Sequence, residues 1–209
     1  MNFKYIFLIV IVLSGFISNA QREALKTFSA KGLQKIEFAA DEIFKIEVKT
    51  IPAVKQVQIF TFSEGEYFND IAVIVKRDLK TLKIASTYKE RLTSGYDKLS
   101  AHKVYAVNLK IILPEGLKFM VISNIANVYA AGKFEHFEAE LKSGDVQLKA
   151  FTGKALINTF TGNVHIETTQ ANLEANTNHG QLYMSPSLDF GNLIEVKSIY
   201  GDIEVRKIQ

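Results

Sequence analysis

From about Phe119 to Val205 one short phrase of apolar and polar positions recurs five times. The copies are Ile125-Ala126-Asn127-Val128, Ser143-Gly144-Asp145-Val146, Thr161-Gly162-Asn163-Val164, His179-Gly180-Gln181-Leu182 and Tyr200-Gly201-Asp202-Ile203. Their central small residues stand at 126, 144, 162, 180 and 201, at intervals of 18, 18, 18 and 21 residues. Take each small residue as position zero. Position +2 is then Val128, Val146, Val164, Leu182 and Ile203, and +4 is Ala130, Leu148, Ile166, Met184 and Val205. Position −5 is Val121, Ala139, Ile157, Ala175 and Val196, and −7 is Phe119, Phe137, Ala155, Leu173 and Ile194. All four columns are apolar, and the columns between them are mixed.

Side chains that alternate in this way describe two short strands per repeat, −7 to −3 and +1 to +5, with a corner at zero. The +1 residues Asn127, Asp145, Asn163, Gln181 and Asp202 fit tight turns better than calcium sites, which carry a denser Gly and Asp pattern. At −3 stand Ser123, Leu141, Thr159, Thr177 and Ser198, mostly hydroxyls placed to satisfy backbone groups near the corner. A looser return is expected around Ala150–Lys154, with Gly153 as its turn residue. A strand-and-turn unit at a fixed period of roughly 20 residues marks a solenoid, with coils about 4.8 Å apart. The hexapeptide left-handed helix is excluded, because stepping by six from Val146 reaches Thr152 and Asn158. The three extra residues of the last interval fall within Ser185–Asn192 and predict a bulged loop.

Before the repeat, nearly everything reads as strand. Ile43–Val48 and Gln56–Phe62 alternate, Ile71–Val75 is an apolar run, and Val104–Leu113 is the longest candidate, ended by Pro114. Such period-2 patterns suit an antiparallel layer. The expected fold is therefore all-β: an antiparallel strand-rich N-terminal half running into a short single-stranded β-helix (β-solenoid) of about five 18-residue coils. Boundaries are expected at 1–20 for a signal peptide, 21–116 for the strand-rich part and 117–209 for the repeats, the last two forming one continuous domain. Tyr88–Lys103 is polar and unpatterned and reads as a long exposed loop.

Lys4, the apolar run Tyr5–Ile17 and the small residues of Ser18-Asn19-Ala20 make a secretory signal with cleavage after Ala20. The run is shorter than the roughly 17 residues a spanning helix needs. Export to the periplasm or beyond is expected, with no membrane span after cleavage. There is no cysteine, so no disulfide and no lipid-bearing cysteine at the cleavage site. Twenty-five Lys and Arg against 22 Asp and Glu leave +3, with no basic block to track nucleic acid.

The strand-rich half, the Leu113-Pro114-Glu115-Gly116 turn and the repeated Ser/Thr-Gly-Asp/Asn-Val phrases together resemble bacterial adhesin domains of the "head GIN" type and related exported β-solenoid domains of unknown function. Ala126 and Ile125 depart from the phrase. The resemblance covers most of 26–205 and implies an exported β-solenoid of the Bacteroidetes kind. It brings no catalytic residues.

No catalytic, cofactor or metal residues are assigned. His102, His136, His165 and His179 lack metal-ligand spacing. Glu138, Glu174 and Glu195 share the outward −6 column, but Leu156 interrupts it. The outward Tyr129, Tyr183, Tyr200 and His165 form the candidate binding surface. The reading is a non-enzymatic envelope protein that binds a glycan or another protein. The alternatives are a carbohydrate-active enzyme on a short β-helix and a structural assembly protein, with Arg206 and Lys207 guarding the open end.

Overall fold

A computed structural model describes residues 22–39, 41–65, 71–88, 105–186 and 188–208. The leader with its cleavage site, and residues 89–103 of the Tyr88–Lys103 loop, lie outside the described residues. Every helix or strand among the described residues is a strand, and the fifteen strands join in one open sheet.

The pairing resolves into two stacks. In the first the order is β1 (Arg22–Ser29), β4 (Gln56–Gly65), β7 (Tyr105–Pro114), β3 (Lys45–Ile51), β9 (Asn127–Ser143), β10 (Val146–Thr161), β11 (Val164–Thr168), β15 (Ile203–Lys207) and β13 (Leu182–Met184). The second runs β5 (Ile71–Asp78), β6 (Thr81–Tyr88), β2 (Lys35–Ala39), β8 (Lys118–Ser123), β9, β10, β14 (Asp189–Tyr200) and β12 (Gln170–Thr177). The long strands β9 and β10 serve both stacks, the first part of each in one and the last part in the other. A rung is one strand from each stack joined at a corner.

The inward columns follow the alternation. Val128, Val146, Val164 and Ile203 are buried, as are Val121, Ala139, Ile157 and Val196, and all belong to one core. The return from the first stack to the second is filled by phenylalanines. Phe119 stacks on Phe137 at 6.0 Å and Phe134 on Phe151 at 5.8 Å. Gly153 sits at this return with φ +140°, and an added Cβ would lie 2.2 Å from the Phe134 carbonyl.

Two expectations are corrected. The repeats do not stack in chain order: β15 lies between β11 and β13, and β14 between β10 and β12. The fifth copy is inserted between the third and the fourth. Each copy offers the same apolar columns, so side-chain pattern does not enforce chain order. The extra residues near Pro186 are the connection that carries the chain back, and β14 re-enters beside β12 with Asp189 opposite Gln170. The fourth copy is thus the end of the stack, and its inward Leu182 and Met184 are 39% and 52% exposed. Arg206 and Lys207 lie on β15, which pairs with β11 throughout and with β13 as far as Val205, so they are not on the last strand of the stack.

The N-terminal half is also not an antiparallel layer throughout. β2 and β3 pair in parallel with β8 and β9, and β6 and β7 pair in parallel with β2 and β3. Among the described residues, antiparallel pairing is confined to β1–β4, β4–β7 and β5–β6. Ile36, Phe38, Ile46 and Val48 thus continue the four apolar columns, followed by Leu82, Ile84, Leu109 and Ile111. The period hides them because Ile84 and Leu109 are 25 residues apart, where Val121 and Val128 are 7 apart.

The inserted order has a measurable consequence. Ile203→Ala opens a cavity in an interior rung and is expected to cost about 2–5 kcal/mol. Leu182→Ala, at the partly exposed end, is expected to cost less than about 1.5 kcal/mol. Urea unfolding of both variants checks this, since stacking in chain order would reverse the ranking.

Candidate functional site

The outer surface of the first stack is built on the corners. At four of the five corners the +1 side chain reaches the next rung. Asn127 Oδ1 accepts from the Asp145 amide at 3.0 Å, and Asp145 Oδ1 from the Asn163 amide at 2.7 Å. Asn163 Oδ1 accepts from the Asp202 amide at 2.9 Å, and Asp202 Oδ1 from the Gln181 amide at 2.7 Å. These residues therefore bind backbone, and the ladder follows the spatial order of rungs. Rungs approach closely here: a Cβ on Gly144 would lie 2.1 Å from the Ala126 carbonyl. The −3 hydroxyls partly do what the sequence implied. Ser123 Oγ accepts from the Ala126 amide and Thr177 donates to the Gly201 carbonyl, whereas buried Ser198 Oγ has no partner.

Two residues past the ladder, the outward +3 positions form one row across the stack. In spatial order it reads Lys110, Glu47, Tyr129, Gln147, His165, Glu204 and Tyr183. The structure thus brings three of the four candidate residues, Tyr129, His165 and Tyr183, onto one face. It does not bring Tyr200 there. Tyr200 sits at a corner, stacked on His179 at 4.7 Å and edge-on to Phe160 at 5.7 Å.

The row is not uniform. At its far end Tyr183, on the terminal strand, donates a hydrogen bond to Gln181 just before that strand. His165 is held between carboxylates, Nδ1 2.8 Å from Glu204 and Nε2 3.2 Å from Glu167. Glu204 also accepts from Arg206 Nε at 2.5 Å. Burial pushes the Glu204 carboxyl up, but the hydrogen bonds from Arg206 and His165 outweigh it and hold the group below its ordinary 4.5. These groups satisfy one another. Among the described residues, no three His, Cys, Asp or Glu are grouped to hold a metal ion.

Tyr129 stands in a different setting. Lys45 Nζ lies 5.2 Å from its ring centroid and is fixed by Glu47 at 2.5 Å, an interaction that raises the Lys45 pKa. Beside Tyr129 is an open groove of about 360 Å³, with Lys49, Lys110, Ala131, Gln147 and Lys149 in its lining. Its floor is the small side chain of Ala131, paired with Lys49 on one side and Lys149 on the other. Sequence reading found Tyr129 but not the lysines, which come from three strands far apart in the chain. On the outer face of the second stack a second groove, about 540 Å³, is lined by Ile122, Asn124, Glu140, Asn158, Phe160 and Lys197, among others. The −6 row there reads Met120, Glu138, Leu156, Glu195 and Glu174.

No protein-family model and no curated protein sequence matches the chain. Among solved structures, a candidate cell adhesion protein from Clostridium sporogenes matches with TM-score 0.66 at 12% identity, over 90% of this chain and 100% of that one. The two proteins share a fold. A candidate adhesin from Bacteroides fragilis is also found, at TM-score 0.41 and 14% identity, over 90% and 99% of the two chains. Another, from Parabacteroides distasonis, has TM-score 0.37 and 9% identity over 89% and 98%. No helix among the described residues is long and apolar enough to cross a membrane.

Glu204 makes stability depend on pH with a definite sign. Its folded pKa lies below the unfolded value, so its contribution is present above about 4.5 and lost as pH falls below that. Glu204→Gln is expected to narrow the drop in urea midpoint between about pH 6 and pH 3. Side-chain exposure of 32% keeps the effect small. An unchanged drop would show that the His165–Glu204–Arg206 contacts are absent in solution.

Proposed function

We propose that the mature chain, residues 21–209, is a non-enzymatic exported module of the cell envelope that binds a glycan or an envelope protein. It acts as one unit, a β-solenoid of the head GIN adhesin type, in the periplasm or at the surface, after cleavage at Ala20. The observation that carries the reading is the groove beside Tyr129 on a rigid outward strand face. Backbone ladders on both sides preorganise that face, so little ordering is needed on binding. An aromatic side chain bordered by long polar ones is the chemistry of a recognition surface. The shared fold with the Clostridium sporogenes cell adhesion candidate is consistent with it.

The test is a glycan array, with purified envelope proteins as a second panel, probed with mature protein and its Tyr129→Ala variant. Binding that weakens about tenfold or more in the variant is expected. No ligand on either panel, or equal binding by both proteins, overturns the reading, and so does turnover of a polysaccharide.

A second reading, end-to-end assembly of two copies, rests on the open end. Among the described residues the edge strands β12 and β13 have no further neighbour, and β13 bears no charge while exposing core-column Leu182 and Met184. Charges and bulges commonly protect such edges. Two-fold pairing with a second copy would set these apolar positions against each other. Light scattering is expected to show a dimer that Leu182→Lys dissociates. Monomer at all concentrations would end this reading.

A further inference from the structure

We infer that the Tyr129 groove selects acidic polysaccharide, with carboxylate or sulfate groups on its sugars. This rests on the binding role proposed above and narrows its ligand. Three observations combine. First, Lys49, Lys110 and Lys149 are exposed and line one groove, and among the described residues no carboxylate pairs with any of them. Elsewhere on the surface some lysines, Lys35, Lys83, Lys118 and Lys207, hold a carboxylate within 3.1 Å and others do not, so the groove is marked by three such free ammoniums in one place. The one carboxylate in the groove lining, Glu47, is engaged by Lys45. The groove therefore carries uncompensated positive charge on a protein of net charge only +3.

Second, the spacing suits a polymer. Lys49 and Lys149 flank Ala131 one strand away on either side. Adjacent strands lie about 4.8 Å apart, so the two lysine backbones stand roughly 10 Å apart across the stack. An extended chain laid over Ala131 would meet an ammonium on each side, with Lys110 on the next strand beyond. Ala131 is what keeps this path open, since a long side chain there would fill the gap between the two lysines.

Third, the groove has an aromatic border. Tyr129 precedes Ala131 by two residues on β9 and so points to the same face. Its ring and phenolic group offer an apolar surface for a sugar ring and a hydrogen-bonding tip. A simple cation patch would lack that element. Lysine ammoniums recognise anionic groups as point charges, so either carboxylate or sulfate is accepted.

The experiment uses mature protein and isothermal titration with three polymers: polygalacturonate, a sulfated galactan and neutral dextran. Binding to one or both acidic polymers and none to dextran is expected, with affinity falling as salt is raised. The double variant Lys49→Ala/Lys149→Ala is expected to bind about tenfold or more weakly. Ala131→Leu, which changes no charge, is expected to weaken binding comparably by closing the groove. All three residues face outward, and an unchanged melting temperature in each variant shows that the fold is intact. Polyglutamate separates sugar recognition from charge alone, and binding as tight as that of the glycans overturns the inference. Binding to acidic glycan that survives both variants overturns the site. Binding to a neutral glycan or to an envelope protein, without binding to acidic polymers, overturns the ligand class while leaving the wider binding role intact.

Discussion

The corner ladder is the interaction on which the arrangement depends. Four rungs end in a short polar side chain, Asn127, Asp145, Asn163 and Asp202, whose oxygen accepts the backbone amide of the neighbouring rung, the last amide being that of Gln181. An unpaired amide at a turn costs free energy, and here the repeat itself supplies the acceptor. Glycine at 144, 162 and 201 lets consecutive corners approach within contact of the carbonyl below. Side chains one, two and four residues later are then locked into rows that run across strands. The core columns and the outward face are two consequences of the same register.

That register explains why the binding surface is rigid and where it is open. An outward row on stacked parallel strands repeats at the strand spacing, so its groups stand at fixed intervals. Through most of the first stack the outward side chains are long and pair with one another, as His165 does with Glu204 and Glu167. Ala131 breaks the pattern with a short side chain between two lysines, and a groove results. At the far end the stack simply stops, and side chains of the core columns meet solvent.

Much of the fold was legible in the residues. The columns at −7, −5, +2 and +4 were read as inward, and four of the five copies bury them. The turn role of the +1 residues was read as well, though their bonds run to other rungs. The N-terminal rungs were not legible as repeats. Ile36, Phe38, Ile46 and Val48 occupy the same columns, but their neighbours Leu82, Ile84, Leu109 and Ile111 are separated by an insertion that erases the period. Of the candidate site, Tyr129, His165, Tyr183 and Tyr200 were legible as outward positions, but Tyr200 is exposed at a corner, away from the row that holds the other three. The lysines at 49, 110 and 149 could not be associated from sequence, since only strand pairing brings them together.

By itself the sequence determined which residues turn, which face inward and that the chain builds from strands. Those properties are local: alternation within five residues and small residues at a corner are enough to specify them. The tertiary structure alone decided which rung lies on which. Each copy presents nearly the same apolar columns and the same acceptor at its corner, so local pattern cannot rank the possible neighbours. Placement of the fifth copy between the third and fourth, and of the first repeat on β2 and β3, emerges only from long-range pairing. The groove follows from that choice, because it is shared by strands whose neighbourhood no local signal encodes.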